Sequence, residues 1–485
     1  MSEGRGAPRL VVVGAGVTGL CAAWALSRER PDASLALVEA RPRAGGNVAT
    51  ERHDGFVIDA GPDSFLRTKP DAVTLCRELG LESELVTVAE RGVYVASRGR
   101  LVPLPGGMTL GVPTRFGPLF TTPLFGWRGK LRAALEPFVP RRRAAETADD
   151  DESIAAFVER RLGREVVKNL AAPLLGGIYA GDIERLSLRS TFPQLAELEA
   201  KHGSLVRGAF AVESERGAGG AARGFGRWLL RGDVQVPSPF YSLRGGMGTL
   251  VEALERALPA GTAKKGSAVT AIERRLDGAR YDVRLADGSV LGADALLLAV
   301  PAHAAAALVP DAALAAELRE VPYVSTATVF FGFERGDVAR PLDGIGFIVP
   351  KGEARILAAT WVSSKWQGRA PDGRVLLRAF VGGARGDVDV EHASDQELSS
   401  LALGELRRLM GSLGRPLFSR VYRFPGANPQ PVVGHAARLE RIRRRLEALP
   451  GLYVAGAAYE GVGIPDCVRQ GRAAARRMVE NATRS

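Results

Sequence analysis

The stretch LVVVGAGVTGLCAAWALSRE, residues 10–29, decides the fold. Its first residues are apolar and predict a buried strand, and the apolar residues after the glycines recur at helical spacing, which predicts a helix. The glycines of the GxGxxG turn permit a tight turn (Gly14), approach of backbone amides to a pyrophosphate (Gly16) and close packing of helix on strand (Gly19). The stretch therefore predicts a βα unit that binds a dinucleotide, with its phosphates at the helix N-terminus.

A second apolar strand, Ser34–Val38, ends in an acid that supports the same prediction. Glu39 follows the glycines by about 20 residues, where the ribose hydroxyls of a dinucleotide need an acceptor. Glycines that served only a tight turn would not explain this acid. A second glycine turn follows in ARPRAGGN, residues 40–47, and two glycine turns suit a long cofactor.

The C-terminal part of the chain repeats this pattern. Residues 450–471, PGLYVAGAAYEGVGIPDCVRQG, predict a strand, a glycine-rich loop and a helix. The helix start offers a second set of free amides, and Asp466 is either an ordinary N-cap or part of a cofactor site.

The segment from Glu39 through the second glycine turn resembles the motif of the amine-oxidase-like FAD superfamily. The resemblance implies FAD as cofactor, with the turn at 61–64 beside the flavin ring, Val269 against the adenine and the 462–464 amides at the pyrimidine edge of the flavin. A Gly-Pro turn at 61–64 is otherwise simply a turn. The candidate cofactor-binding residues are Gly14, Ala15, Gly16, Val17, Thr18, Gly19, Glu39, Ala40, Arg43, Gly45, Gly46, Asn47, Gly61, Pro62, Asp63, Ser64, Val269, Val462, Gly463 and Ile464.

The expected fold class is α/β, with a Rossmann-type FAD-binding domain assembled from three chain segments, a mixed-sheet substrate domain and a mostly helical insertion. Alternating apolar residues at Thr326–Phe333 and Val375–Val381 predict strands of the mixed sheet. The expected FAD-binding domain comprises residues 1–64, 245–301 and 431–485. The expected substrate-binding domain comprises residues 65–103, 201–244 and 302–430. Residues 104–200 are expected to form the helical domain, for which membrane association is one of the functions considered.

A narrower resemblance is carried by GIYAGDIERLSLRSTFPQL (177–195), GIGFIVP (344–350) and YEGVGIPDC (459–467). These motifs resemble the porphyrinogen oxidase family. PDSFLRTKP (62–70) and LPGGMTLGVPT (104–114) are most similar to its coproporphyrinogen III oxidases from Gram-positive bacteria.

The resemblance implies a six-electron oxidation of coproporphyrinogen III to coproporphyrin III in three two-electron steps. FAD takes hydride, and dioxygen reoxidises it to hydrogen peroxide. Protoporphyrinogen IX is the alternative substrate, an amine oxidase or carotenoid desaturase is a remoter alternative, and a flavin-containing structural or regulatory protein without turnover is the alternative of another class. The implied partners are a tetrapyrrole, dioxygen and a ferrochelatase that receives the product.

The resemblance also supplies candidate substrate contacts. Ile178 and Ile345 would sandwich the macrocycle, and Lys69 or Arg67 would pair with propionates, although a Lys in a Thr-Lys-Pro turn is otherwise simply solvated. Val93 stands where animal and plant protoporphyrinogen oxidases have a propionate-binding Arg, which favours coproporphyrinogen.

Neither a catalytic side chain nor a metal site is expected, because a flavin carries out the oxidation itself. The histidines occur singly and are predicted to be structural or surface residues: His53, His202, His303, His392 and His435.

The bulk composition limits the partners and the location. A net charge of +11 favours anionic partners. With 6% aromatic residues, however, the chain has few side chains on which nucleic-acid bases could stack, so nucleic acid is not expected. Three cysteines without metal-ligand spacing indicate a reducing cytoplasm, and no signal peptide or membrane-spanning run is predicted. The apolar and basic stretch 111–135 could line a substrate channel or lie on a membrane surface, and the Gly/Arg-rich segment 216–233 is expected to be a loop.

Overall fold

The computed structural model describes residues 7–90, 92–109, 112–142, 151–215, 238–275 and 280–483. The Gly/Arg-rich segment 216–233, expected to be a loop, lies outside the described residues.

Strands within the described residues are numbered in chain order. They are β1 Arg9–Val13, β2 Ser34–Glu39, β3 Thr50–His53, β4 Phe56–Asp59, β5 Phe65–Leu66, β6 Leu85–Thr87, β7 Val93–Ser97, β8 Arg100–Pro103, β9 Met108–Thr109, β10 Val112–Pro113, β11 Phe240–Leu243, β12 Ala263–Lys265, β13 Val269–Arg274, β14 Tyr281–Leu285, β15 Val290–Ala293, β16 Ala295–Leu298, β17 Tyr323–Glu334, β18 Gly346–Ile348, β19 Ala358–Trp361, β20 Arg374–Gly382, β21 Phe418–Pro429 and β22 Leu452–Val454.

Helices within the described residues are numbered in the same way. They are α1 Val17–Glu29, α2 Pro70–Glu78, α3 Phe116–Thr121, α4 Trp127–Ala134, α5 Ile154–Leu162, α6 Arg164–Val166, α7 Ala172–Tyr179, α8 Leu188–Thr191, α9 Pro193–His202, α10 Leu205–Glu215, α11 Gly248–Ala257, α12 Ala302–Leu308, α13 Ala312–Arg319, α14 Val362–Lys365, α15 Asp395–Met410, α16 His435–Glu447 and α17 Ile464–Thr483. A π-helical turn at Val167–Ala171 joins α6 to α7.

One compact unit is formed by Met1–Thr87, Pro239–Pro322 and Ala437–Ser485. Its centre is a five-stranded parallel sheet in the order β12-β2-β1-β16-β22. The central strands are almost fully buried, which fits their continuous apolar sequence. This parallel sheet, with α1 as the first crossover helix, confirms the predicted Rossmann-type fold built from three chain segments.

Helix α17 crosses α1 in close contact within this unit. A Cβ atom at Gly471 would lie 2.3 Å from the carbonyl oxygen of Thr18, so only glycine permits the approach. The crossing places the start of the C-terminal helix beside the N-terminal glycine turn. The unit also contains an antiparallel meander, β13-β14-β15, and a three-stranded sheet in the order β5-β11-β6.

The second compact unit comprises Val88–Ser238 and Tyr323–Ala436. It contains a seven-stranded mixed sheet in the order β21-β17-β20-β19-β18-β7-β8, in which only the β18–β7 pairing is parallel among the described strands. The predicted strands at 326–333 and 375–381 are its long central strands, and α15 packs against one face. This unit holds both the mixed sheet and helices α3–α10, and the expected boundaries between substrate-binding and helical domains stay predictions.

The helical part of this unit has a buried ionic cluster. The guanidinium of Arg161 and the carboxylate of Glu136 are both fully buried and form an ion pair. Glu136 also accepts from the hydroxyl of Ser204 at 2.6 Å and from the amide of Leu205 at 2.8 Å, where α10 begins. Glu199 accepts two hydrogen bonds from Arg160, at 2.6 and 2.9 Å. The cluster thus ties α5, α9 and α10 together.

No helix in the described part of the chain is both long enough and apolar enough to cross a bilayer.

Candidate cofactor site

The first glycine turn has a backbone that requires glycine at two positions. Gly14 has φ +98°, and a Cβ atom there would lie 2.6 Å from the carbonyl oxygen of Ala299. A Cβ atom at Gly19 would lie 1.8 Å from the carbonyl oxygen of Gly14. These contacts hold strand and helix together as the spacing predicted.

Gly16 is different, because it faces open space. A Cβ atom at Gly16 would have no atom of the protein within 4 Å. Gly16 is also the N-cap of α1, with an extended backbone and no side-chain hydrogen bond to the first turn. Free amides at a helix start beside open space fit a pyrophosphate, and this observation supports a dinucleotide at the site.

Glu39 links the glycine turn to the end of β2. One carboxylate oxygen accepts from the amide of Ala15 at 2.8 Å and the other from the amide of Arg41 at 2.9 Å. Each oxygen keeps capacity for a further donor, such as a ribose hydroxyl. The amide of Ser267 donates to the carbonyl of Glu39 at 2.9 Å, which brings the start of β13, with Val269, to this end of β2.

The second glycine turn packs directly on the first. The amide of Gly45 donates to the carbonyl of Ala15 at 2.8 Å, and Gly45 and Gly46 both have positive φ. The Arg43 guanidinium donates to the carbonyls of Gly46 at 2.9 Å and Ala44 at 3.1 Å, so it stabilises its own loop. Ala40 and Asn47 are exposed on the same turn. Direct contacts of these residues with the cofactor stay predictions.

The turn at 61–64 is held by hydrogen bonds from its surroundings. Ser242 donates its hydroxyl to the carbonyl of Asp63 at 2.7 Å, and the Ser64 hydroxyl donates to the Asp63 carboxylate at 2.8 Å. Pro62 is exposed, whereas Gly61 is buried. The structure therefore fixes the shape of the turn that the resemblance places beside the flavin.

Asp59 is a positioning residue that the sequence did not single out. Its buried carboxylate accepts from the hydroxyl of Thr50 at 2.6 Å and from the amide of Met247 at 2.8 Å. Thr50 in turn accepts from the amide of Gly248 at 2.7 Å, at the first residue of α11. The signal was an acid at the end of a buried apolar strand, but its partner Met247 lies 188 positions away in sequence.

The returning loop contains the last predicted cofactor residues, Val462, Gly463 and Ile464. Helix α17 begins at Ile464, so Asp466 lies inside the first turn and the N-cap interpretation of Asp466 is wrong. Gln470, also missed, accepts from the amide of Gly456 at 3.2 Å and donates to the carbonyl of Gly461 at 3.4 Å. These hydrogen bonds hold the loop against its own helix.

Lys69 forms an ion pair that neither sequence-based interpretation of this residue included. Its ammonium group donates to both carboxylate oxygens of Asp466, at 2.7 Å each. Arg67 is exposed and makes only a backbone contact among those described, from its amide to the carbonyl of Pro239. The predicted propionate contact of either residue stays a prediction.

The two apolar substrate candidates belong to the other compact unit. Ile178 lies on α7 and is 60% exposed, which is unusual for a large apolar side chain. Ile345 is half-buried next to β18; its amide donates to the carbonyl of Gly92 and its carbonyl accepts from the amide of Trp361. Val93 lies in β7 opposite Gly346.

Among the described residues, no group of three or more His, Cys, Asp or Glu side chains is placed to hold a metal. Burial raises the pKa of the Cys467 thiol to about 11 and that of Cys76 to about 12, so neither is a thiolate at neutral pH.

A parallel Rossmann-type sheet, an open helix start at Gly16 and an acid at the end of β2 define a dinucleotide-binding protein. Residues 17–479 match the family described as flavin containing amine oxidoreductase. The chain belongs to this family and is an FAD-dependent oxidoreductase, as the resemblance of the segment from Glu39 through the second glycine turn implied.

Relatives and solved structures match over nearly the whole chain. It is 39% identical to the coproporphyrinogen III oxidase of Bacillus subtilis, over 98% of each chain. It is 33% identical to the coproporphyrinogen III oxidase of Staphylococcus aureus, over 97% of this chain and 98% of the relative. The chloroplastic protoporphyrinogen oxidase 1 of Arabidopsis thaliana is 31% identical, over 94% of this chain and 85% of the relative.

Among solved structures, a protein of Exiguobacterium sp. 255-15, provisionally described as a protoporphyrinogen oxidase, superposes with a TM-score of 0.85. It is 34% identical to this chain, and the match covers 98% of this chain and all of that protein.

Proposed function

We propose that this chain oxidises coproporphyrinogen III to coproporphyrin III, with dioxygen as electron acceptor and hydrogen peroxide as second product. The supporting observation is the 39% identity to a coproporphyrinogen III oxidase over 98% of both chains, a match that includes the segments of both compact units. The sequence identity to the chloroplastic protoporphyrinogen oxidase 1 of Arabidopsis thaliana is lower, at 31%.

Three groups in the first compact unit would bind FAD. The amides around Gly16 would bind the pyrophosphate, the Glu39 carboxylate the ribose hydroxyls, and the 462–464 amides the pyrimidine edge of the ring. Bound FAD supplies hydride acceptance from the substrate and electron transfer to dioxygen. The protein contributes a fixed orientation of cofactor and substrate.

The substrate contacts proposed are apolar and cationic. The exposed Ile178 and half-buried Ile345 would contact the flat macrocycle, and Arg67 is an exposed cation for a propionate. Val93 supplies no charge at the position where animal and plant protoporphyrinogen oxidases have Arg, which favours coproporphyrinogen. Protoporphyrinogen IX is the alternative substrate.

A stoichiometric assay tests this proposal. Purified, FAD-loaded protein is given coproporphyrinogen III in air, and porphyrin fluorescence, oxygen uptake and peroxide are followed together. Six electrons removed in three steps require about three dioxygen molecules consumed and three peroxides formed per porphyrin. Apoprotein is the control. Oxidation of amines without porphyrin formation, or reduced flavin that air does not reoxidise, would rule the proposal out.

We also propose a peripheral contact with an anionic membrane surface through α4. Trp127, Leu131 and Leu135 recur every four residues and are 70%, 58% and 55% exposed, and Phe138 beyond them is 78% exposed. These four side chains form a short exposed apolar stripe at residues 127–138. Exposed Arg128, with Arg141 and Arg142 beyond, adds positive charge, as interfacial helices use.

Co-sedimentation with vesicles tests the contact. Binding to vesicles that contain anionic lipid should fall at least about fivefold in the double variant W127S/F138S, whereas L417S, at another exposed apolar residue, should bind like wild type. Equal binding by all three proteins, or a stripe that instead mediates self-association in solution, would contradict it. A cytoplasmic location and transfer of the porphyrin to a ferrochelatase also remain proposals.

A further inference from the structure

The Lys69–Asp466 ion pair joins chain segments that are 397 residues apart. Lys69 directly precedes α2, and Asp466 lies in the first turn of α17. Both Asp466 oxygens accept from the same ammonium group at 2.7 Å, and the Asp466 side chain is only 10% exposed. The pair therefore fixes where the carboxylate can lie.

That carboxylate packs against the glycines of the returning loop. A Cβ atom at Gly461 would lie 2.7 Å from the Asp466 carboxyl carbon, and one at Gly463 would lie 3.0 Å from an oxygen of this carboxylate. The loop backbone therefore rests on the Asp466 side chain. A displacement of this side chain would therefore remove a packing contact of the loop that contains the amides of residues 462–464.

Arg469 also lies near Asp466, but it cannot replace Lys69. Arg469 approaches Asp466 only to 4.0 Å, and its guanidinium is already bound to Glu460 at 3.0 Å. Without Lys69, the carboxylate would be mostly buried with a weak counter-charge, which favours a shift towards solvent. The loop would then lose the side chain on which it rests.

We propose that Lys69 is a positioning residue, which acts through Asp466 to hold the loop amides for the flavin rather than binding a substrate propionate. The inference rests on FAD lying against the 462–464 loop, which is part of the proposed site. It does not depend on the identity of the substrate.

Binding of FAD to apoprotein tests this without any turnover. We expect K69M and D466N each to weaken FAD affinity about tenfold and to change the visible circular dichroism of bound flavin. The double variant K69M/D466N should be no weaker than the weaker single variant, because both changes break one interaction. K69R should recover most of the affinity, which keeps the test valid if D466N folds poorly.

R77Q is the matched control, since it removes an exposed cation of α2 that pairs with Glu82 rather than with Asp466, and we expect its FAD affinity and flavin spectrum to match wild type. The KM for coproporphyrinogen should stay within about twofold in K69M once FAD is saturating. If K69M raises this KM with unchanged FAD affinity and dichroism, or if the single effects add, the inference is wrong. Failure of the porphyrinogen assay alone would leave the binding result intact.

Discussion

The carboxylate of Glu39 accepts a hydrogen bond from the amide of Ala15 at 2.8 Å, across the mouth of the first glycine turn. The acid for which the spacing predicts ribose binding thus also stabilises the turn that we propose binds the pyrophosphate. The two halves of the dinucleotide site are coupled through this one side chain.

Glu39→Ala should therefore weaken FAD binding by at least about tenfold, since it removes the proposed ribose acceptor and leaves the Ala15 and Arg41 amides without their partner. Titration of apoprotein with FAD, followed by flavin fluorescence, measures the affinity. Glu29→Ala, at the exposed end of α1, is the control. An E39A affinity within twofold of wild type would contradict the assignment.

Substitution by alanine should have different effects on protein stability at Gly16 and at Gly19. Gly16→Ala meets no protein atom, so the apoprotein should keep its melting temperature while FAD affinity falls. Gly19→Ala would place a Cβ atom 1.8 Å from a carbonyl oxygen, so the apoprotein itself should be destabilised. Thermal unfolding of both apoproteins and FAD titration of G16A distinguish the two. Unchanged FAD binding in G16A would show that the open space is not the cofactor's.

Arg161→Met should be among the most destabilising single changes in the helical part. It leaves the fully buried Glu136 carboxylate without its counter-ion, at a cost of about 3–5 kcal/mol. Chemical denaturation provides the free energy of unfolding. Arg164→Met, at a nearby exposed arginine, should change it by less than about 0.5 kcal/mol. Similar values for the two variants would show that the cluster is not a stabilising centre.

Glu199 should contribute a pH-dependent part of the stability. Burial alone would raise the pKa of Glu199, but hydrogen bonds from Arg160 and the charges of Arg160 and Arg161 outweigh it and lower the pKa. The stabilisation is then complete above the ordinary glutamate pKa of about 4.3 and is lost as the pH falls through the lower pKa of the folded protein. The difference in unfolding free energy between wild type and Glu199→Gln should shrink below about pH 4. A difference that is constant from pH 7 to pH 3 would contradict this.

The sequence predicted those parts of the site that lie within one chain segment. The spacing of Gly14, Gly16 and Gly19 is local, and so is the acid at the end of the second strand. The Asp59–Met247 and Lys69–Asp466 contacts join residues 188 and 397 positions apart, and no local pattern encodes such pairs. The apolar stripe at residues 127–138 was visible as composition, but only the structure shows which of its side chains are exposed.

The most direct test of the central claim is the ratio of kcat/KM values for coproporphyrinogen III and protoporphyrinogen IX, measured on the same FAD-saturated preparation in air. We expect a ratio of at least about ten in favour of coproporphyrinogen III, since specificity follows differential binding of the reacting substrate. A ratio below one would contradict the proposed substrate and assign the chain to protoporphyrinogen oxidation.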